Sequence, residues 1–79
     1  MKARVIVTLK TGVLDPQGKA IEGALKSLGV GAVDGVRQGK VFDIDLGTSD
    51  RSQAEFILNA ACEKLLANTV VENYRFEIG

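Results

Sequence analysis

LKTGVLDPQGKAIEGALKSLG, residues 9 to 29, carries the chain out of an extended stretch and into a helix, and the other elements take their places around it. Asp15 before Pro16 is a helix start: the carboxylate can accept an orphan backbone N–H, and proline fills the first helical position, where no N–H is needed. Ile21, Ala24, Leu25 and Leu28 then fall at i, i+3, i+4 and i+7, on one helical face. Gly29 supplies a left-handed stop. Gly18 and Gly23 sit inside this predicted helix, where each costs about 1 kcal/mol relative to alanine. Close approach by another backbone would explain them, and so points to a contact surface on this helix.

Upstream, KARVIVTLK (residues 2 to 10) alternates, with Ala3, Val5, Val7 and Leu9 on one face of a predicted strand. Downstream, Ala32 to Arg37 reads as a weaker strand interrupted by Gly35. Gln38-Gly39 reads as a tight turn, and Lys40 to Leu46 as the strand that completes a hairpin. Ser52-Gln-Ala-Glu55 has capping-box form, with Asp50 a rival cap. Ala54, Ile57, Leu58, Ala61, Cys62, Leu65 and Leu66 keep helical spacing for more than three turns. Asn68 can end that helix in a left-handed conformation, and Val70 to Ile78 alternates again, with Tyr74, Phe76 and Ile78 on one face. The order β-α-β-β-α-β predicts an α+β two-layer sandwich: a four-stranded, mainly antiparallel sheet with two helices on one face, a ferredoxin-like arrangement. On the sheet's other face, Ile6 and Val41 would be a natural place for a second copy to pack.

Seventy-nine residues make one domain, 1–79, whose surface is large for its core. Chains of this size are stapled, idealised or oligomeric. A single cysteine and no histidine exclude a disulfide or a Cys/His zinc staple, so oligomerisation is the expected remedy. An unpaired thiol and the lack of a long apolar run predict a cytoplasmic chain without a membrane partner. Net charge is zero, but residues 1 to 40 hold seven basic and three acidic side chains and residues 41 to 79 the reverse. That split suits docking between copies or onto a partner, and equally vanishes if the halves intermingle on folding. With four aromatic residues and no concentrated basic stripe, nucleic acid is not an expected partner.

No set of residues makes an active site. Cys62 lies on the apolar stripe of the second helix without a base nearby, which marks a buried structural thiol. Asp43 and Asp45 share one face of a strand and could hold a metal, but a solvated edge explains them more simply. The glycines match neither a P-loop nor G-x-G-x-x-G. Arg37 and Lys40 put two cations at one turn, suited to an acidic patch or simply to solvent.

LKTGVLDPQGKAIEGAL, VRQGK and CEKLLANTVVENY, in this order and spacing over residues 4 to 78, resemble the PurS family, the small subunit of phosphoribosylformylglycinamidine synthase. The resemblance implies a non-catalytic subunit in purine biosynthesis, with no metal and no cofactor of its own. In such an enzyme a glutaminase subunit frees ammonia, and a synthetase subunit carrying ATP and Mg uses it to aminate formylglycinamide ribonucleotide. It further implies a homodimer or dimer of dimers that bridges those two subunits. The family's marked positions fall on Leu14, Asp15, Pro16, Gln17 and Gly18, and on Arg37, Gly39 and Lys40, which we assign to partner contact. A third group is Cys62, Leu65, Leu66, Asn68, Val70, Glu72 and Tyr74, whose apolar members we assign to the core. Asn73 stands where relatives often carry an acid. The alternative is a dimeric regulatory module of ferredoxin-like fold that binds a small molecule, a reading by fold analogy alone.

Overall fold

In the computed structural model, which describes residues 1–79, the alternating segment Lys2 to Leu9 is the central strand of the sheet. This strand, β1 (Lys2–Leu9), pairs antiparallel on one side with β2 (Gly39–Asp45) and on the other with β3 (Glu72–Ile78). Val5 stands between Phe42 and Phe76, and Ala3 between Ile44 and Ile78. The period-two pattern therefore collects the apolar side chains of all three strands on one face. That inner face is covered by α2 (Arg51–Ala61) and the turn after it, with Leu58, Cys62 and Ala67 packed on Ala3, Val5 and Val7.

The expected four-stranded sheet is not formed: the sheet has three strands, and Ala32 to Arg37 makes none. Two causes are local. Ala32 adopts a left-handed φ of 63°, which breaks an extended run. Beyond it the backbone bonds to side chains, Val36 N–H donating to Glu22 Oε1 at 3.1 Å and Gln38 N–H to Asp15 Oδ2 at 2.7 Å. With these donors satisfied, no neighbouring strand is required. The Gln38-Gly39 hairpin is also absent, because Gly39 opens β2 directly. A side chain there would meet the Val7 carbonyl oxygen at 2.6 Å, so glycine admits the close strand pairing.

The second correction concerns α1 (Pro16–Ser27). It does not join α2 on the sheet: Gly18 is its only buried residue, and no residue of α1 enters the core cluster. Its apolar stripe faces outward, with Leu28 78% exposed. Lys10 to Gln38 thus forms an arm that leaves the sheet after β1 and returns at β2. The radius of gyration is 16.0 Å, against about 12 Å for a compact chain of this length. The arm keeps the predicted helix ends. Asp15 is the N-cap, and at the C-terminus Gly29 N–H donates to Lys26 O and Val30 N–H to Leu25 O around a glycine of φ 82°.

The second helix starts at Asp50, whose Oδ1 accepts from Ser52 N–H, so the rival cap prevails over the capping box. Its end differs from expectation. After Ala61 the chain passes through one π turn, Cys62–Leu66, with Ala67 N–H donating to Cys62 O, five residues back. The extra residue in the turn rotates the side chains beyond it: Leu65, expected in the core, is 83% exposed, and Ala67 is buried instead. Val70 is likewise exposed. Asn68 is not left-handed; its side chain and carbonyl instead bind the N–H groups of Val70, Val71 and Glu72 and so build the turn into β3.

Candidate functional site

The eight residues assigned to partner contact converge at the root of the arm, where Val13 to Gly18 meets Val36 to Lys40. Asp15 is the centre. It is 5% exposed, and its two carboxylate oxygens serve two segments: Oδ1 accepts from Gly18 N–H at 2.8 Å, capping α1, and Oδ2 accepts from Gln38 N–H, holding the returning chain. Those two N–H bonds, that of Gln38 foremost, and the nearby Arg37 charge hold its carboxyl below the usual range. Gly18 is required by the same closure, since a side chain there would run into the Val36 carbonyl oxygen. The close backbone approach inferred for this helix therefore holds at Gly18. Gly23 has open space around it, and its close approach is not found.

Arg37 turns inward across the loop after β1, donating to Val13 O at 2.8 Å and to Lys10 O at 3.2 Å. Gln38 Nε2 donates to Gln17 Oε1. Glu22, one turn beyond Gly18, accepts from Val36 N–H and pairs with Lys19 at 3.2 Å. Asp15, Gly18, Arg37 and Gly39 are thus engaged within the chain, whereas Leu14, Pro16, Gln17 and Lys40 remain exposed. Glu22 and Gln38 were missed as members of this cluster. The position of Glu22 one turn after Gly18, on the same helix face, was the available signal.

On the sheet side the root borders a cleft of about 330 Å³ lined by Val7, Leu9, Gln17, Gln38, Lys40 and Glu72. Lys40 Nζ lies 3.6 Å from Glu72 Oε2, and Glu72 Oε1 accepts from Asn68 N–H. Each charge therefore has a partner. The geometry positions; it contains no nucleophile poised beside a base.

The other chemical candidates lie elsewhere. Cys62 is fully buried, and burial, with a smaller effect of Glu63, pushes its thiol up, away from reactivity. Asp43 pairs with Arg4 at 2.8 Å and Asp45 with Lys2 at 3.7 Å on the outer face of the sheet. Those ion pairs make the outer face polar around Ile6 and Val41, so the apolar packing surface expected there is not formed. Tyr74 points its hydroxyl at Glu63 Oε1 and Asn59 Oδ1, and burial first, then Glu63, raises its pKa.

A family model described as PurS, phosphoribosylformylglycinamidine (FGAM) synthase, matches residues 2–79. The chain belongs to the PurS family. It is 47% identical over 77 residues to the PurS subunit of phosphoribosylformylglycinamidine synthase of Bacillus subtilis, covering 98% of this chain and 90% of that one. To the corresponding subunit of Archaeoglobus fulgidus it is 46% identical over 74 residues, 94% of this chain and 92% of the other. Among solved structures, B. subtilis PurS superposes with a TM-score of 0.86 over 96% of this chain and 94% of that chain, at 47% identity. The PurLQS structure from Thermotoga maritima contains a chain that superposes with a TM-score of 0.88 at 33% identity, over 96% and 93% of the two chains. The three-stranded sheet and projecting arm therefore belong to a chain that aligns with PurS proteins along nearly its whole length.

Proposed function

We propose that this chain is the non-catalytic small subunit of phosphoribosylformylglycinamidine synthase, acting in purine biosynthesis in the cytoplasm. The observation that carries this reading is the near full-length identity to proteins named as the PurS subunit of that enzyme. The subunit bridges an ATP-dependent synthetase and a glutaminase. Its contribution to the amide transfer from glutamine is positional: holding two active sites in register lets ammonia pass before it escapes to water. It binds no cofactor itself, ATP and Mg belonging to the synthetase.

The chain acts as a homodimer or a dimer of dimers. What supports self-association is how little the single chain covers: nine of 79 residues are buried, while Leu28, Phe56, Leu65 and Val70 are each at least 75% exposed. Leu14, Pro16, Gln17 and Lys40, held in place by Asp15 and Arg37, are the contacts this reading offers to the larger subunits. No helix is long and apolar enough to cross a membrane.

Light scattering tests the bridging role directly. The purified chain, mixed with the cognate synthetase and glutaminase in the presence of nucleotide and glutamine, is expected to form one larger complex and to support glutamine-dependent amidation. A chain that binds neither protein, and whose omission leaves amidation unchanged, would overturn it.

A further inference from the structure

We propose that the open edge of β3 pairs antiparallel with the same edge of a second copy of this chain, about a two-fold axis at Phe76, merging two three-stranded sheets into one. This deepens the homodimer reading above, on which it rests, by assigning the interface and its register.

The backbone supplies the first observation. Val71 O accepts from Lys10 N–H at 2.9 Å and Gly79 N–H donates to Lys2 O at 3.0 Å, so the odd-numbered residues of β3 turn their backbone groups toward β1. Alternation then aims the N–H and C=O of Tyr74, Phe76 and Ile78 at the open edge. Strand order β2-β1-β3 leaves that edge without a neighbour. Such an edge carries no proline to blunt it, and is a ready template for another strand.

Charge selects the occupant and the register. The outer face of β3 carries Asn73, Arg75 and Glu77, and Arg75 and Glu77 are 67% and 63% exposed. Centring the pair on residue 75 sets Arg75 against Arg75 of the partner subunit, and centring it on 77 sets Glu77 against Glu77 of the partner subunit. Centring it on 76 sets each Arg75 opposite Glu77 of the partner subunit, twice over, as two-fold symmetry demands. Glu72 points the same way: its N–H already donates to Asn68 O at 2.7 Å, so the full-length overlap centred on 75, which needs that donor, is unavailable. In the register centred on 76, Tyr74 faces Ile78 of the partner subunit and Phe76 faces its own copy. The half-buried apolar side chains of the inner face then continue across the axis.

The other edge does not fit a copy of itself in this way. The outer face of β2 carries Val41, Asp43 and Asp45, so no register of β2 on itself brings an acid opposite a base there, and its acids already serve Lys2 and Arg4.

A charge-swap cycle tests the assignment. Arg75→Glu and Glu77→Arg each turn two opposite-charge pairs into like-charge pairs and are expected to weaken dimerisation in sedimentation equilibrium by about tenfold or more. The double variant R75E/E77R restores the opposite pairs and is expected to return the dissociation constant to within about threefold of the original. Amide exchange at Tyr74, Phe76 and Ile78 should be slow in the original dimer and fast in either single variant. A dimer indifferent to both single changes, with fast exchange at those three amides, would overturn the β3 interface while leaving a homodimer in place. Single variants that dissociate with no rescue in the double would overturn the register and with it the proposal. A chain that stays monomeric at every concentration would overturn the homodimer reading itself.

Discussion

At the scale of single residues, Asp15 decides how the arm is held, because one buried carboxylate satisfies a helix start and a returning strand together. Its folded-state pKa lies below its ordinary value, the Gln38 and Gly18 N–H groups being the main causes. The ionised form is thus the one the fold favours, and its stabilisation is complete above the unfolded-state value and lost as pH falls through the folded one. Asp15→Asn, which presents one acceptor and one donor to two N–H groups, is expected to unfold at lower urea concentration than the original at pH 7. That gap should close below about pH 4, where the original is itself protonated. Two glycines of α1 make a paired prediction. Gly18→Ala drives a methyl into the Val36 carbonyl and should cost about 1–3 kcal/mol in urea unfolding. Gly23→Ala meets nothing and should gain about 0.5–1 kcal/mol by the ordinary helix preference. The N-cap was legible in the sequence, since capping is a local matter. The second bond of Asp15 was not, because Gln38 lies far along the chain and only the return of the arm brings it near.

At the scale of elements, the π turn after α2 settles which side chains are covered. A helix continued without it would carry Leu65 on the stripe of Leu58 and Cys62; the wider turn moves Leu65 into solvent and seats Ala67 in the core. Leu65→Gln is therefore expected to change the unfolding free energy by no more than about 0.5 kcal/mol, measured at fixed protein concentration. Leu58→Ala, on the same stripe but fully buried, should cost about 2–5 kcal/mol in the same assay. Periodicity showed that a helix runs through this segment and which face it buries over its first turns. It carried no sign of the extra residue, since a π turn depends on how the chain end docks on the sheet and not on the spacing of apolar residues. The missing fourth strand has a related cause. Val33 and Val36 favour extension, yet a strand needs a neighbour, and here Glu22 and Asp15 take the N–H groups a neighbour would have bonded.

At the scale of the whole molecule, a three-stranded sheet covered by one helix, with an arm extending the chain to 48 Å in its longest dimension, leaves the single chain with a small core. Stability should then depend on association, and the melting temperature is expected to rise by roughly 5–10 °C over a hundredfold increase in protein concentration. Calorimetry across that range checks it, and a concentration-independent midpoint would mean that the chain is stable alone. The amino-acid sequence by itself determined the three observed strands, both helices and their N-terminal caps, because alternation, helical spacing and capping act between residues close along the chain. It also carried, in its ordered motifs, the resemblance to PurS proteins that the comparisons bear out. Only the tertiary structure decided that the first helix stands away from the sheet, that Ala32 to Arg37 pairs with side chains instead of a strand, and that Leu14 to Gly18 and Arg37 to Lys40 form one cluster. Each of these depends on groups distant in sequence competing for the same hydrogen bonds and the same apolar surface, a competition that is resolved only once the chain has folded back on itself.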